Sequence, residues 1–326
     1  MKKAVFSIIL PCVALLLPHP SYCWGFYAHQ KINYYAVFLL PPEMMLLYKP
    51  NIIFLSEHAV DPDKRRYIVA AEGPRHYIDI DHYGTHPYPG LPRRWKDAVA
   101  KFGEDSLYKY GIVPWHVQTM LYRLTDAFKA KDFAQIMKCS AEIGHYISDA
   151  HVPLHASSNH NGQLTSQQGI HGFWESRLPE LLAEKEFDFF IGRAAYINRP
   201  GDFIWERVLE SAKSADTVLQ YEKELSRRFA DDQKYSFEER NGKLVRQYSA
   251  AFTIAFNRKL NGMTERRMRQ SIFAVASFWY TAWVNAGQPD LKSLLDQKFS
   301  DTDLKEFGQL NIQWGSGTKM IGRQEQ

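Results

Sequence analysis

The residues best suited to chemistry are concentrated in one stretch, His145 to Glu175, which reads HYISDAHVPLHASSNHNGQLTSQQGIHGFWE. His145 and Asp149 are four residues apart, as are His171 and Glu175, and His155 lies between the two pairs. Side chains at i and i+4 share one face of a helix, so each pair can converge on a single point. Imidazole nitrogen and carboxylate oxygen are ordinary ligands for zinc. Two helix-borne pairs with a histidine between them imply more than one metal ion. Further candidate ligands lie upstream, at His29, Asp61, Asp63 and His76. No G-x-S-x-G elbow and no P-loop occurs in the sequence, so neither a serine nucleophile nor a nucleotide cradle is indicated.

The first 23 residues, MKKAVFSIILPCVALLLPHPSYC, have the form of a secretory signal peptide. Lys2 and Lys3 open it, an apolar run follows, and small Ser21 and Cys23 precede the expected cut. The run is too short and too weakly flanked to span a membrane; an uncleaved anchor is the alternative. Cleavage after Cys23 directs the chain to the periplasm or the exterior and makes Trp24 the first residue. It also removes Cys12 and leaves only Cys139, so an internal disulfide is excluded. A freed α-amino group has a pKa near 8, low enough for a metal to displace its proton. The amine and carbonyl oxygen of Trp24 could therefore form a chelate that no internal residue can supply.

These ligands need a scaffold, and 326 residues with 45% hydrophobic content can bury a large core. The formal charge is +4, and removing the leader leaves 38 basic and 36 acidic residues. Such a balance does not by itself call for nucleic acid or an anionic membrane. Apolar residues at three- and four-residue steps predict helices over 28–40, from there to about 57 with a break near Pro50, and over 94–108, 114–130 and 132–151. Further helices are expected near 171–186, 200–216, 219–232, 245–260 and 264–286. Asp132 is the expected N-cap of one and Thr264 of the last, whose stripe Met268, Ile272, Val275, Trp279 and Trp283 marks a core helix. Residues 72–95 read as a loop, no long alternating strand pattern stands out, and the tail after about 300 is weakly patterned. The expected fold is all-α, a single multi-helix domain over 24–326. In the 132–151 helix, His145 and Asp149 fall opposite the apolar stripe, where a solvated polar face is the plain reading.

Taken together, the mature Trp24, the Asp63–Asp81 region and His145–Glu175 resemble the zinc-dependent phospholipase C family, whose superfamily includes the single-strand-specific zinc nucleases. The resemblance implies a helical domain with a trinuclear zinc cleft. Carried over, Asp63, His76, His145 and Asp149 hold one zinc ion, and His155, His171 and Glu175 a second. Trp24 and His29 hold a third, which Asp149 bridges to the first. Asp61 is the alternative to Asp63, favoured by the spacing in the nuclease branch. The HYIDID run at His76 and Glu175 itself lean toward the phospholipase branch, since the nucleases typically carry a Gly-Gly-Asn element in the 155–171 loop and aspartate in place of Glu175.

The implied activity is hydrolysis of a phospholipid head-group ester by zinc-activated water, with Asp63 or Asp149 able to take its proton. The implied protein is a monomer that contacts a membrane surface transiently. One alternative is a single-strand-specific nuclease releasing 5'-nucleotides from RNA or DNA, although no basic stripe interleaved with aromatics is evident. Another is a secreted metal-binding protein without turnover. His58, His82, His86 and His116 receive no role, His151 and His160 are loop or pocket residues, and Trp174 is expected to pack.

Overall fold

The computed structural model describes residues 25–240, 242–316 and 320–321. The leader and Trp24 therefore lie outside the described residues. The described residues are mostly helical, with one two-stranded sheet among them. In order, the helices are α1 (Phe26–Val37), α2 (Pro42–Tyr48), α3 (Ile52–Glu57), α4 (Asp61–Arg65), α5 (Trp95–Phe102), α6 (Glu104–Tyr110), α7 (Val113–Ala130) and α8 (Phe133–Ala150). A short α9 (Ile170–Gly172) runs through a π turn at Phe173–Arg177 into α10 (Leu178–Glu186). Then come α11 (Pro200–Ser226), α12 (Asp231–Lys234), the strands β1 (Tyr235–Arg240) and β2 (Lys243–Tyr248), α13 (Ala250–Lys259), α14 (Met263–Asn285) and α15 (Asp301–Ser316).

Local chemistry sets many of the boundaries. Pro42 and Pro200 occupy first helical positions, where the missing N–H has no partner to lose. Asp132 caps α8 by accepting from the backbone N–H of Gln135 at 3.1 Å. α14 carries the central stripe: Met268, Ile272, Val275 and Trp279 are buried, and the Trp279 indole donates to Ser140 O at 2.9 Å. α1, α7 and α8 pack against it.

Five expectations need correcting. The segment 94–108 is two helices, because Gly103 at φ 77° breaks the backbone between α5 and α6. The helices expected at 200–216 and 219–232 are one, since nothing in AKSADTVLQYEK breaks α11. The start of the helix expected over 245–260 is a strand, paired in an antiparallel hairpin with Tyr235 opposite Tyr248. Asn241-Gly242 is a strong turn signal, but the charged flanks hide the alternation. Finally, the weakly patterned tail forms α15, in which no residue is buried. Thr264, expected to cap α14, lies inside it, and Gly262 occupies the cap position.

Candidate metal centre

α8 supplies the middle of the site. The face expected to be solvated is covered: His145 and Asp149 are buried. They are covered because α1 approaches α8 closely at Gly144, where an added Cβ would stand 2.0 Å from Asn33 Oδ1. Asn33 ties the layers together, its amide donating to Leu55 O at 2.9 Å and Ala141 O at 3.0 Å. One turn before Asn33, the His29 ring stacks on the His145 ring with centroids 3.9 Å apart. The C-terminal end of α8 is fixed by α11 and α14. Ser211 donates to Ala150 O, and the buried Arg267 guanidinium donates to His151 O, both at 2.8 Å. A cation also suits the negative end of a helix.

His76 arrives on an extended stretch clamped to the 3-10 turn that carries His155. Ile78 N–H donates to His155 O at 2.9 Å, and His155 Nδ1 donates to His76 O at 2.7 Å. Gly111 at φ 90° lets this stretch pass, because a Cβ there would lie 2.2 Å from Tyr77 O. Asp81, in the same HYIDID run, holds the following loop by accepting from Ser158 Oγ at 2.7 Å. The loop places His171, whose Nδ1 donates to His160 O at 3.1 Å. Glu175 lies in the π turn, a feature that often accompanies functional sites.

Three sets of donors come together among the described residues: His29, His145 and Asp149; Asp63, His76 and His145; and His155, His171 and Glu175. Within each set the ligand atoms lie within 4.8 Å of one another, and all eight residues are buried. Asp149 faces two sets at once. Its Oδ2 lies 3.0 Å from His76 Nδ1 and 3.2 Å from His145 Nε2, and its Oδ1 lies 3.4 Å from His29 Nε2. Glu175 Oε2 lies 3.0 Å from His171 Nε2 and 3.3 Å from His155 Nε2. Asp63 Oδ1 stands 3.7 Å from both His76 Nδ1 and His145 Nε2. Asp61 turns elsewhere, accepting from His58 Nδ1 at 2.6 Å and Lys64 Nζ at 2.8 Å.

The tautomers suit metal ligation. A carbonyl only accepts, so His145 Nδ1, at 2.8 Å from Ala59 O, must be its N–H. The same holds for Nδ1 of His155 and His171, and in each ring Nε2 is the nitrogen turned toward the acids. This is the outer-shell pattern that orients metal-bound histidines. Asp63 Oδ2 is buried without a hydrogen-bond partner. Burial would raise the Asp149 carboxyl, but His145 and His155 hold it well below the ordinary range. Burial and the neighbouring His145 keep His29 a neutral base. Burial would lower His76, yet Asp149 and Glu72 raise it to about 9, so a cation binding at Nδ1 must displace a proton. Imidazole nitrogens, carboxylate oxygens and one buried carboxylate oxygen without a hydrogen-bond partner form a donor set that fits a divalent cation.

Two contributors were missed in the sequence. Glu72 is fully buried, with Oε1 3.6 Å from His76 Nε2. It is held by Arg75 at 2.7 Å, by Arg65 at 3.2 Å and by the Tyr146 hydroxyl. Its signal was the four-residue step to His76. Arg66, also fully buried, brings a guanidinium nitrogen to 3.9 Å from Asp63 Oδ1. Its signal was the three-residue step from Asp63. No protein-family model and no curated protein matches the chain.

Proposed function

We propose that the protein is a zinc-dependent phosphodiester hydrolase of the phospholipase C type, acting on the head-group ester of a phospholipid. The observation that carries this reading is that His145 belongs to two adjacent buried donor sets and that Asp149 faces residues of both, which suits neighbouring cations. Clustered zinc supplies Lewis acidity to a phosphoryl group and acidifies water, so no side-chain nucleophile is required.

The chain's own groups have separate tasks. His145, His155 and His171 keep Nε2 turned inward through the backbone carbonyl partners of Nδ1. Asp149 faces His29 with Oδ1 and the His76–His145 pair with Oδ2. Glu72 faces Nε2 of His76 and leaves Nδ1 as the ligating atom. The Arg66 guanidinium offers a permanent positive charge beside Asp63, suited to an anionic phosphoryl oxygen. Asp63 Oδ2 is the atom best able to take a proton, being buried and without a donor. Trp24, through its amine and carbonyl, completes the set that contains His29 in this reading. Gly25, the next residue, is buried, and its N–H donates to Ser176 Oγ at 3.0 Å, beside Glu175.

The test is to prepare the chain beginning at Trp24, load zinc, and assay phosphatidylcholine vesicles and single-stranded nucleic acid side by side. Release of diacylglycerol and phosphocholine is the expected result. Cleavage of nucleic acid alone would replace the lipid reading with the nuclease one. A zinc-loaded protein that cleaves neither would be a metal-binding protein without turnover.

A further inference from the structure

The candidate ligands are sealed. The most exposed of the eight described residues, Asp63, reaches only 5%, so whatever lies over them governs how a phosphodiester approaches. The C-terminal segment has the contacts of such a cover. α15 packs against α4, which carries Asp63. Its Phe307 ring meets Phe54 and His58, at centroid distances of 5.4 and 4.5 Å. Trp314 meets Phe26 at 5.4 Å, two residues from Trp24. Beyond the helix, Ile321 N–H donates to Arg66 O at 2.9 Å. The Ile321 carbonyl lies against Gly73, three residues before His76, where an added Cβ would meet it at 3.6 Å. α15 and Ile321 between them thus touch the stretches that bear Asp63, His76 and the mature N-terminus.

It is also loosely held. No residue of α15 is buried, whereas α1, α4 and α8 all bury several. Between α15 and the body lies a cavity of about 200 Å³ whose lining includes the charged Asp61, Arg65, Lys138, Glu142 and Glu306. The polar anchors are Lys138 to Asp303 at 2.6 Å, part-buried, and to Glu306 at 3.0 Å, where the exposed glutamate makes the ion pair contribute little. At the near end, Phe299 stacks on Phe54 and Ser300 caps the helix by bonding Asp303, which gives the segment a fixed root. Few buried contacts and weak ion pairs are the properties of an element that opens locally without global unfolding.

We propose that α15 with Ile321 is an autoinhibitory strap, docked on the stretches that bear Asp63 and His76 and released for substrate to enter. This inference rests on the metal-centre reading of the preceding subsection. The variant Lys138→Glu/Phe307→Ala removes the strap's charged and aromatic anchors without touching a ligand. Hydrogen exchange of full-length zinc-loaded protein should show α15 amides exchanging far faster than those of α8, and faster still in the variant. Stripping of zinc by a chelator should be at least about tenfold faster in the variant, while the thermal midpoint of the body stays near the parent's. Hydrolysis of the small soluble ester bis(p-nitrophenyl) phosphate should rise in parallel. α15 protected as strongly as α8 in the parent overturns the strap, and so does a variant with an unprotected α15 but unchanged zinc stripping. A chain that takes up no zinc fails at the earlier step and removes the metal reading itself, so the two failures are distinguishable.

Discussion

At the scale of single residues, Glu72 separates a metal centre from a merely buried ion network. Burial would raise its carboxyl, but His76, Arg65 and Tyr146 hold it well below the ordinary range. If His76 binds metal through Nδ1, Glu72 acts on the opposite nitrogen and tunes the ligand. Glu72→Gln should then weaken metal binding by about 10–100-fold, as outer-shell changes do, measured by competition with a chromophoric chelator. Unchanged affinity would contradict the assignment. The i, i+4 pairs His145–Asp149 and His171–Glu175 were legible in the sequence because their partners are local. Glu72 and Arg66 have comparable spacing to His76 and Asp63, yet short steps between acids, bases and arginine are common on solvated helices and carry little weight alone. Choosing Asp63 over Asp61 depended on which way each side chain turns within α4. Asp61 is engaged by His58 and Lys64, whereas Asp63 faces the imidazoles.

At the scale of elements, the close crossing of α1 over α8 brings His29 to Asp149, and Gly144 permits it. Gly144→Ala would drive a methyl group into the Asn33 amide, so about 1–3 kcal/mol of stability should be lost to overpacking. The same variant should lose the metal held with His29 before the others, read as a fall in zinc content of the still-folded protein. Full zinc content at parental stability would show that α1 does not depend on this contact. The core helices were readable because their stripes have helical period, and α14 is the clearest case. The β1–β2 hairpin was not, because Glu238, Glu239, Lys243 and Arg246 are among the side chains that interrupt its alternation. α15 escaped notice for the opposite reason: a helix that buries no residue leaves no stripe to read.

For the whole molecule, several ionisable groups sit in the interior, and this sets the response to acid. Burial and the nearby Arg75 lower His116 to about 3, and burial also lowers His151 strongly. Each is neutral in the fold and takes up a proton on unfolding once the pH falls below its ordinary value near 6.5. The unfolded chain then binds more protons, so stability falls as pH drops from about 6.5 toward 3. At roughly 1.4 kcal/mol per pH unit for one such group, the metal-free protein should lose a few kcal/mol over this window. His116→Phe should flatten the curve of denaturant midpoint against pH, and an unchanged slope would remove His116 as a cause. The central claim, however, concerns metal, and the most direct test is to count it. Elemental analysis of protein beginning at Trp24, dialysed against zinc and then against metal-free buffer, should find three equivalents per chain, one for each donor set. One extra residue before Trp24 should reduce that to two. Zinc below one equivalent in folded protein, or three in the extended chain, would contradict the account.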